Sequence, residues 1–372
     1  MYNTMHNTRT KIRDTFLSVF PPPHILSMTA PGLSLSNSNA RVIEVSSTFW
    51  GKKLSRFNTW EMPDGAVQGG TVSDRNSLIK FLSNVRQTCG IDHVHVSLPE
   101  EKGYLFHTHV PTTATPDQIR TTVEFKLEEN VPIAPQDAIF DYDILGRHKN
   151  STVHVDVSVA VYPKHVISDF WDVFNHAGMI PLSFESEAHS ISRAVIPRGD
   201  LRTYMVASIG KTETDLFIVH RGALAFTSTL EIGGKTITRA IEKNLSISNK
   251  RADECKYTDG LVNGKDGSAL SGSIISTVSA LKDEINKHYT YWHTRRDDAG
   301  HEVHPVEKLL LVGSEACIPG LAEYFSAGLK VPTDRADVWT NMFSLNDVIP
   351  AIPREESYAY APAVGLALRN SC

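Results

Sequence analysis

The chain has 372 residues, 41% of them hydrophobic and 21% charged, with a formal net charge of −5 at neutral pH. One small core cannot organise a chain of this length, so we expect a globular protein of at least two lobes. The slightly acidic balance argues against nucleic acid as a partner, because nucleic acids select basic surfaces. No apolar run approaches the ~20 residues that span a bilayer. The four cysteines form no CxxC pair, which argues against a metal knuckle or a disulfide framework.

Residues 1–30 are interpreted as an N-terminal extension. This segment combines basic residues with a short apolar patch that ends at Pro21-Pro22-Pro23. The apolar region of a signal peptide is longer and less polar, so the pattern does not predict one.

Residues 31–100 and 163–200 are predicted to form a first lobe. From Gly32 onward, apolar and polar residues alternate on both sides of a Ser/Asn-rich turn, which predicts a strand–turn–strand element. Helical spacing of apolar residues predicts a helix around Ser77–Thr88. A short strand, His93–Leu98, is expected after it.

Residues 101–162 are predicted to form a small α+β subdomain inserted into the first lobe. Thr115-Pro116-Asp117 is a typical helix start, with a capping hydroxyl followed by proline at the first helical position. Three strands are expected around this helix, at Lys102–Val110, Ile139–Leu145 and Thr152–Val161.

Three further segments are expected to join the parts of the chain. An apolar stripe predicts a helix at Pro163–Gly178, with Gly178 as its terminating residue. A helix at Ser183–Ala194 would link the two lobes. Residues 351–372 are predicted to return to the first lobe through a closing helix, Tyr358–Arg369. Its small side chains would allow it to cross another helix closely.

Residues 201–240 and 303–350 are predicted to form the second lobe. The run from Tyr204 to Gly234 predicts a hairpin of apolar strands with a Ser-Ile-Gly-Lys-Thr turn at its start and a Gly-Gly pair at its end. Residues 309–321 predict a buried strand, a Gly/Ser turn and a helix opened by Pro319. Two such units about 80 residues apart are typical of a nucleotide clamp.

Residues 241–302 are predicted to form a helical subdomain. The pattern between Ile237 and Trp292 is mostly helical, with a Gly-rich break at Asp259–Gly272. A long helix, Ser273–Trp292, follows this break because its apolar residues recur at helical spacing. No internal repeat of fixed short period is visible.

Four segments resemble the PilM family of type IV pilus assembly proteins, and the resemblance covers roughly residues 20–370. They are FKLEENVPIAPQDAIFDYDIL, IGGKTITRAIEKNL, LVGSEACIPGLAEYF and YAPAVGLALR. The resemblance implies an α/β actin-like fold, which is a duplicated ribonuclease H-like architecture of two lobes, with ATP or ADP between them. It also implies a cytoplasmic protein peripheral to the inner membrane. There it would bind other pilus platform proteins and the cytoplasmic tail peptide of a PilN-like membrane protein.

The chain departs from that family at two turns. The family grips the phosphates with two turns that usually carry Asp-Ile-Gly, whereas this chain has Ser34-Leu35-Ser36 and Ser208-Ile209-Gly210. Mg²⁺ is commonly positioned by carboxylates, and phosphoryl transfer depends on positioned charge. Loss of both carboxylates also lowers like-charge repulsion, while Lys211 and Arg41 add positive charge. We therefore predict nucleotide binding with weakly coordinated Mg²⁺, no dedicated metal site, and little or no hydrolysis.

The resemblance also identifies candidate residues for contacts with the nucleotide. Those expected near the phosphates are Ser34, Ser36, Asn37, Arg41, Ser208, Gly210, Lys211, Thr212, Thr214, Gly233 and Gly234. Those expected near the ribose and adenine are Asp253, Lys256, Gly313, Ser314 and Gly320. The candidates for a catalytic, water-positioning carboxylate are Glu185 and Glu187.

Other patterns in the sequence leave alternative interpretations open. Gly210-Lys211-Thr212 and Gly234-Lys235-Thr236 resemble the end of a P-loop but lack its first glycine. The pairs His93/His95 and His107/His109 could approach a metal, although exposed strands often carry alternate histidines. The leading hypothesis is a nucleotide-binding adaptor rather than an enzyme. An active ATPase or kinase of the actin superfamily, a nucleotide-free pseudo-ATPase scaffold and an FtsA-like polymerising protein stay open as alternatives.

Overall fold

The computed structural model describes residues 30–48, 51–147, 153–262, 267–296 and 303–369. The predicted N-terminal extension, except for its last residue, lies outside the described residues. Among the residues described, none of the helices is both long and apolar enough to span a membrane.

Strands and helices alternate along most of the chain. The strands are β1 (Gly32–Leu35), β2 (Asn39–Thr48), β3 (Gly51–Glu61), β4 (Val67–Gln68), β5 (Thr71–Val72), β6 (His93–Leu98), β7 (Tyr104–Pro111), β8 (Ala138–Arg147), β9 (His154–Pro163), β10 (Ile180–Ser186), β11 (Thr203–Ile209), β12 (Thr214–His220), β13 (Ala223–Leu230), β14 (Lys308–Val312) and β15 (Thr333–Arg335). The helices are α1 (Arg75–Cys89), α2 (Pro116–Asn130), α3 (Lys164–His176), α4 (Glu187–Val195), α5 (Gly234–Leu245), α6 (Asn249–Thr258), α7 (Gly267–Thr294), α8 (Leu321–Leu329), α9 (Arg354–Ser357) and α10 (Ala361–Ala367). Short 3₁₀ turns occur at Glu100–Lys102, Pro135–Asp137 and Tyr358–Tyr360.

Two five-stranded sheets have the same arrangement of strands. The first has the order β10-β6-β1-β2-β3 and the second has the order β13-β12-β11-β14-β15. Each sheet contains an antiparallel three-stranded meander, β1-β2-β3 or β11-β12-β13. Two parallel strands continue each sheet beyond the first strand of its meander: β6 and β10 beyond β1, and β14 and β15 beyond β11. This duplication agrees with the predicted two-lobe α/β fold.

Each sheet buries one face under its own helices. Apolar residues of β1, β2 and β6 pack against α1 and α3, with Phe170 and Phe174 fully buried among them. In the second sheet, β11, β12 and β14 pack against α5, α7 and α8 through a core that includes Ile274 and Phe325. Helix α1 begins where the Asp74 side chain accepts a hydrogen bond from the Ser77 N–H, as expected of an N-cap.

Helices α4 and α10 lie between the two sheets and contribute to a shared core with Ile43 from the first sheet and Val206 from the second. The two helices cross closely at Gly365, because a β-carbon there would overlap the backbone of Ser190. Helix α10 also contacts β1, where a β-carbon on Gly32 would overlap the backbone of Ala363. The predicted close crossing of the closing helix is therefore present.

The inserted segment forms a three-stranded antiparallel sheet of order β7-β9-β8, covered by α2. The predicted helix start is confirmed as a complete capping box between Thr115 and Gln118. The Ser158 hydroxyl donates to the Leu224 carbonyl at 3.3 Å, and His107 contacts the same carbonyl. The insertion therefore touches the second sheet as well as the first lobe.

The prediction of one helix over Ser183–Ala194 was wrong in its first part. Residues Ile180–Ser186 form β10, which pairs in parallel with β6, and the helix begins only at Glu187. The Ser186 hydroxyl accepts the hydrogen bond of the His189 N–H and so separates strand from helix. Local spacing did not reveal this boundary because the pairing partner is about 90 residues away.

Other helix boundaries also differ from the predictions. Helix α8 begins at Leu321, after Gly320 in the left-handed conformation, and not at Pro319. Helix α7 begins at Gly267 rather than at Ser273. The predicted closing helix, Tyr358–Arg369, is divided into a 3₁₀ turn and α10, with Pro362 in the first turn of α10, and the short helix α9 precedes it.

The crossing of α4 and α10 generates a stability prediction. Gly365→Ala should lower the free energy of unfolding by about 3 kcal/mol, because neither backbone can move aside without disturbing the core between the sheets. Gly272→Ala is the matched control: a β-carbon there meets open space on α7, so it should raise stability by about 0.5–1 kcal/mol. Urea unfolding measures both changes, and equal effects would contradict the close crossing.

Candidate functional site

The two predicted turns face one another across the gap between the lobes. The first turn connects β1 and β2, and the second connects β11 and β12. Between them lies a cavity of about 50 Å³, which is bordered by both turns and by the loop after β14. Its lining includes most of the predicted phosphate-side residues: Ser34, Ser36, Arg41, Ser208, Gly210, Lys211 and Thr212, together with Gly313 and Ser314.

The polar groups of the first turn are largely used within the turn itself. The Ser36 hydroxyl donates to the Asn39 carbonyl at 3.1 Å and accepts from the Asn39 N–H at 3.1 Å. Arg41 lies above the ring of Tyr360, at 5.9 Å from its centroid. Burial lowers the pKa of the Arg41 guanidinium, although Tyr360 and Glu187 act in the opposite direction.

The second turn is held by the start of helix α5. The Gly234 N–H donates to the Gly210 carbonyl at 2.9 Å, and the Lys235 N–H donates to the Lys211 carbonyl at 2.7 Å. Gly233 lies so close to the turn that a β-carbon would overlap the Thr212 backbone. The first N–H groups of a helix are natural anion donors, but here these two are bound to the turn.

Thr214 does not take the position predicted for it. Its side chain is fully buried, and its hydroxyl donates to the Ile232 carbonyl at 2.7 Å. It therefore connects β12 to the segment before α5 instead of facing the cavity. Thr214 was chosen for its hydroxyl, but it occupies a position on β12 whose side chain points into the core.

Asn37 bridges the lobes. Its side-chain amide donates to the Glu213 carboxyl of the second turn at 2.9 Å and to the Glu101 carboxyl at 3.1 Å. Glu101 belongs to the 3₁₀ turn after β6. We call the contact of Asn37 with Glu101 and Glu213 the Asn37 clasp. Sequence reasoning missed both carboxyls, although Glu213 directly follows the predicted Ser-Ile-Gly-Lys-Thr turn and could have been noticed there.

Two carboxyl groups, Glu187 and Glu213, line the cavity, and both interact with the nearby Glu101 and Asp215. Burial and the neighbouring Glu101 raise the pKa of Glu213 to about 10. Burial raises the pKa of Asp215 to about 8 and that of Glu100 to about 7. Burial and Asp215 also raise the pKa of Glu187. These raised pKa values favour the protonated, neutral form of the carboxyls near neutral pH, so the predicted relief of like-charge repulsion stays a prediction.

The two candidate catalytic carboxylates lie at different sites. Glu187, the first residue of α4, lines the cavity between the turns. Glu185 faces away from it: Arg193 donates to its carboxylate at 2.8 Å, and Arg369 approaches at 3.4 Å. The arginines lower the pKa of Glu185 despite its burial. The structure thus removes Glu185 from the predicted water-positioning role.

Asp253 and Lys256 form the predicted pair, with 2.8 Å between Asp253 Oδ1 and Lys256 Nζ. Lys256 is nevertheless buried, and its ammonium also lies 2.9 Å from the carboxylate of Glu315. Tyr257 donates to the same carboxylate at 2.9 Å. Glu315, which is fully buried, was missed because it sits inside the turn that the family resemblance assigns to adenosine.

The glycines of that turn serve two purposes. Gly313 has φ of 90°, and its N–H donates to the Tyr358 carbonyl at 3.0 Å, which holds the turn against the 3₁₀ segment. Gly320 has φ of 78° and starts helix α8, where it packs against Leu261. Gly320 borders neither the cavity between the turns nor the one beside Lys256. Its predicted contact with adenosine is thus not supported by its position.

A second cavity, of about 300 Å³, lies on the other side of the second turn. Its walls are polar, with four basic and two acidic residues among the eight that line it: Lys211, Lys235, Thr238, Arg239, Asn249, Asp253, Lys256 and Glu315. Thr238 donates to Asp253 at 2.9 Å across this space. Of the residues predicted near the ribose and adenine, Asp253 and Lys256 come together here, whereas Gly313 and Ser314 line the cavity between the turns.

The described residues fit an adenine nucleotide poorly. Pockets for small molecules usually measure about 300–1,000 Å³, whereas the cavity between the turns measures about 50 Å³ and the one beside Lys256 about 300 Å³. Ser34 and Ser208 carry no charge to position a metal. On the adenosine side, Glu315 takes the partners that a ribose would need. Lys211 and Arg41 are the features that favour a phosphate.

The four histidines do not share a sheet. His93 and His95 lie on β6 of the first sheet, and His107 and His109 lie on β7 of the inserted sheet. His109 pairs with Asp156 at 2.6 Å. Across the described ranges there is no group of three or more His, Cys, Asp and Glu residues suited to a metal ion. The metal interpretation has no support from the described part of the chain.

A groove of about 640 Å³ separates the inserted sheet from the first lobe. Five consecutive residues of β8, from Ile139 to Asp143, line one wall. The floor is apolar (Leu98, Tyr162, Ile167 and Phe184), and the far end carries the charged group of Glu185, Arg193 and Arg369 together with His189. Strand β8 pairs with β9 on one side only, since it ends the order β7-β9-β8.

The raised pKa values predict how stability changes with pH. A carboxyl whose pKa is higher in the folded state binds more protons folded than unfolded, so stability falls as pH rises through the folded pKa. Between pH 6 and pH 9 we expect the free energy of unfolding to fall. Asp215→Asn should reduce this fall by at least about 1.4 kcal/mol, the equivalent of one pKa unit.

Urea titrations at both pH values test this expectation. Asp137→Asn, at an exposed position of the inserted subdomain, is the matched control and should leave the slope as it is. A slope that Asp215→Asn does not change would show that Asp215 is ionised in the folded protein already at pH 6.

Comparison with known proteins agrees with this architecture. The family model described as type IV pilus assembly protein PilM matches residues 32–371. A solved PilM–PilN type IV pilus biogenesis complex is 20% identical, with a TM-score of 0.75, over 92% of this chain and 98% of that chain. Two further solved structures each have a TM-score of 0.52. The ethanolamine utilization protein EutJ of Carboxydothermus hydrogenoformans is 13% identical over 94% of this chain and 90% of that chain. ADP-bound MreB5 of Spiroplasma citri is 12% identical over 92% of this chain and 97% of that chain.

At these identities the solved structures show the fold alone, and they confirm the predicted actin-like two-lobe architecture. The family model carries more weight, since it matches nearly the whole described chain and agrees with the resemblance of the four sequence segments. The chain therefore belongs to the PilM family of type IV pilus assembly proteins.

Proposed function

We propose that this chain is an adaptor of the type IV pilus assembly platform that binds an extended peptide in the groove beside β8. The peptide would be the cytoplasmic tail of a PilN-like inner-membrane protein. The observation that supports this most is the groove itself, which combines an apolar floor, a charged end and an open strand edge. Membership of the PilM family and the solved complex of a relative with PilN point to the same class of partner.

The wall formed by β8 suits an extended segment. Because five consecutive residues of β8 border the groove, a peptide lying there runs along the free edge of the inserted sheet. Backbone hydrogen bonds to a strand edge give affinity, and pockets for alternate side chains give specificity. Phe184 and Tyr162 would receive apolar side chains of the peptide, whose burial contributes about 25 cal/mol per Å².

The charged end of the groove would fix the direction of the peptide. Glu185 is held by Arg193 and Arg369, and Arg193 also donates to the Gly365 carbonyl at 3.0 Å. The Arg369 side chain is 36% exposed, so its guanidinium is available at the surface of this group. A polar or acidic residue of the peptide would meet it there.

Adenine nucleotide binding with little or no hydrolysis stays a prediction from the sequence, with a nucleotide-free scaffold as its alternative. Lys211 and Arg41 beside the turns favour it, while Ser34 and Ser208 oppose ordered Mg²⁺. In this proposal the protein works as a scaffold rather than as an enzyme. It acts on the cytoplasmic side of the inner membrane, where it contacts other platform proteins.

Substitution in the groove should weaken peptide binding. Ile139→Asp, at a position on β8 that is 39% exposed, should lower affinity for a labelled PilN-type tail peptide at least about tenfold, or about 1.4 kcal/mol. Ile349→Asp is the matched control, because Ile349 is 94% exposed and does not border the groove. Fluorescence polarisation measures both, and unchanged binding by Ile139→Asp would remove the groove as the peptide site.

ATP turnover should be at background level. The reason is that Ser34 and Ser208 supply no carboxylate for Mg²⁺, and phosphoryl transfer depends on positioning and on stabilisation of charge, to which the metal contributes. Phosphate release by the purified protein, with Glu187→Gln as a comparison, measures this. Steady Mg²⁺-dependent turnover that Glu187→Gln abolishes would instead support the alternative of an active ATPase.

A further inference from the structure

Glu315 is the most unusual side chain of the cleft. It follows β14 in the loop expected to contact adenosine, yet its side chain has no exposed surface. Its backbone N–H donates to the Ile209 carbonyl at 3.0 Å, which fixes the residue beside the second turn. A carboxylate is buried in this way only when charged or hydrogen-bonding partners surround it.

Those partners are residues that the nucleotide would otherwise contact. Lys256 lies 2.9 Å from one carboxylate oxygen of Glu315, and Tyr257 donates to the other at 2.9 Å. The carboxyl also lies against the first turn of α5, because a β-carbon on Gly234 would overlap it. Glu315 therefore fills the space between Lys256, Tyr257 and Gly234.

The ammonium group of Lys256 is surrounded by oxygen atoms of the same chain. An ammonium group carries three N–H donors. Lys256 Nζ has three close oxygen partners, at 2.8 Å in Asp253, 2.9 Å in Glu315 and 3.0 Å in Thr238. To admit a ligand, the protein would have to open this buried ion network, and removing one partner of such a network is costly.

The phosphate end of the cleft is closed in a similar manner. The Asn37 clasp already connects the first turn with Glu213 of the second turn across the gap. Main-chain N–H groups of Gly234 and Lys235 donate to that turn and are not directed at an anion. Both ends of the predicted nucleotide site thus have partners within the chain.

We propose that Glu315 is a built-in occupant of the adenosine position and that the Asn37 clasp holds the two lobes closed without a nucleotide. The carboxylate takes the place of the ligand's polar groups by neutralising Lys256 and accepting from Tyr257. Lobe closure is then a fixed property of the fold and not a response to ATP. This inference does not depend on the peptide groove.

If Glu315 instead contacts the nucleotide, removal of its side chain has the opposite effect on nucleotide binding. A carboxylate near a ribose can accept hydrogen bonds from its hydroxyl groups, and Glu315 would then be a nucleotide ligand. In that case removal of the side chain weakens nucleotide binding. Under our proposal removal of the side chain strengthens it, so one substitution separates the two.

The experiment is titration of full-length protein with ADP, with and without Mg²⁺, by calorimetry. The unaltered protein should show no binding at micromolar ADP. Glu315→Ala vacates the space and should bind at least tenfold more tightly than the unaltered protein, whereas Glu315→Gln keeps the volume and should not. Glu323→Ala, at an exposed position of α8, is the matched control and should behave as the unaltered protein does.

Hydrogen exchange on the unaltered protein tests the proposal without any substitution, in case Glu315→Ala does not fold. Amides of residues 208–215 and 313–318 should keep the same protection when ADP is added in large excess. Added protection there, micromolar binding by the unaltered protein, or loss of binding in Glu315→Ala would each overturn the proposal. An equal gain in Glu315→Gln and Glu315→Ala would also overturn it, because charge and not occupied space would then be the cause.

Discussion

The close crossing of α4 and α10 is the constraint on which the arrangement of the lobes depends. Without a side chain at Gly365 the backbones of the two helices meet, and Gly32 lets β1 approach α10 in the same way. The pair contributes to the core shared by both sheets, so the separation of the sheets is set by backbone contact. The two turns of the cleft extend from β1 and β11 of these sheets. Their narrow spacing is thus a consequence of how closely the helices can pack.

The same region connects the cleft with the groove. Only Ser186, the last residue of β10, separates Glu185 from Glu187. Glu185 nevertheless lines the groove, whereas Glu187, the first residue of α4, lines the cleft. Arg193 of α4 holds Glu185 and at the same time donates to the Gly365 carbonyl of α10. A peptide that contacts this arginine in the groove therefore contacts the helix crossing directly. This contact of Arg193 with both the groove and α10 suits a scaffold, because a bound partner would contact residues that already hold the two helices together.

Sequence patterns predicted most of the architecture, because apolar periodicity and turn residues act locally. The hairpin from Tyr204, the capping box at Thr115 and the small residues of α10 all carry their signal within a few positions. The prediction that failed concerned a strand with a distant partner. The end of β10 was assigned to a helix, because its pairing with β6, about 90 residues away, leaves no local pattern. The candidate site was predicted less completely. Its backbone turns were located correctly, but whether Thr214 and Glu315 are buried depends on packing between segments, which no short motif encodes.

The effect of having serine at positions 34 and 208 depends on the carboxyl groups that surround the cleft. Had the cleft lost two aspartates and nothing else, it would have become more favourable to a triphosphate. Instead Glu101 and Glu213 meet at Asn37, Asp215 accepts from Thr229 at 2.6 Å, and Glu315 pairs with Lys256. Acidic groups are therefore present, but at positions where they bond within the protein instead of coordinating a metal. Of these contacts, that of Asn37 with Glu213 joins the two lobes, so a side chain of the protein stands where a bound ligand would bridge them.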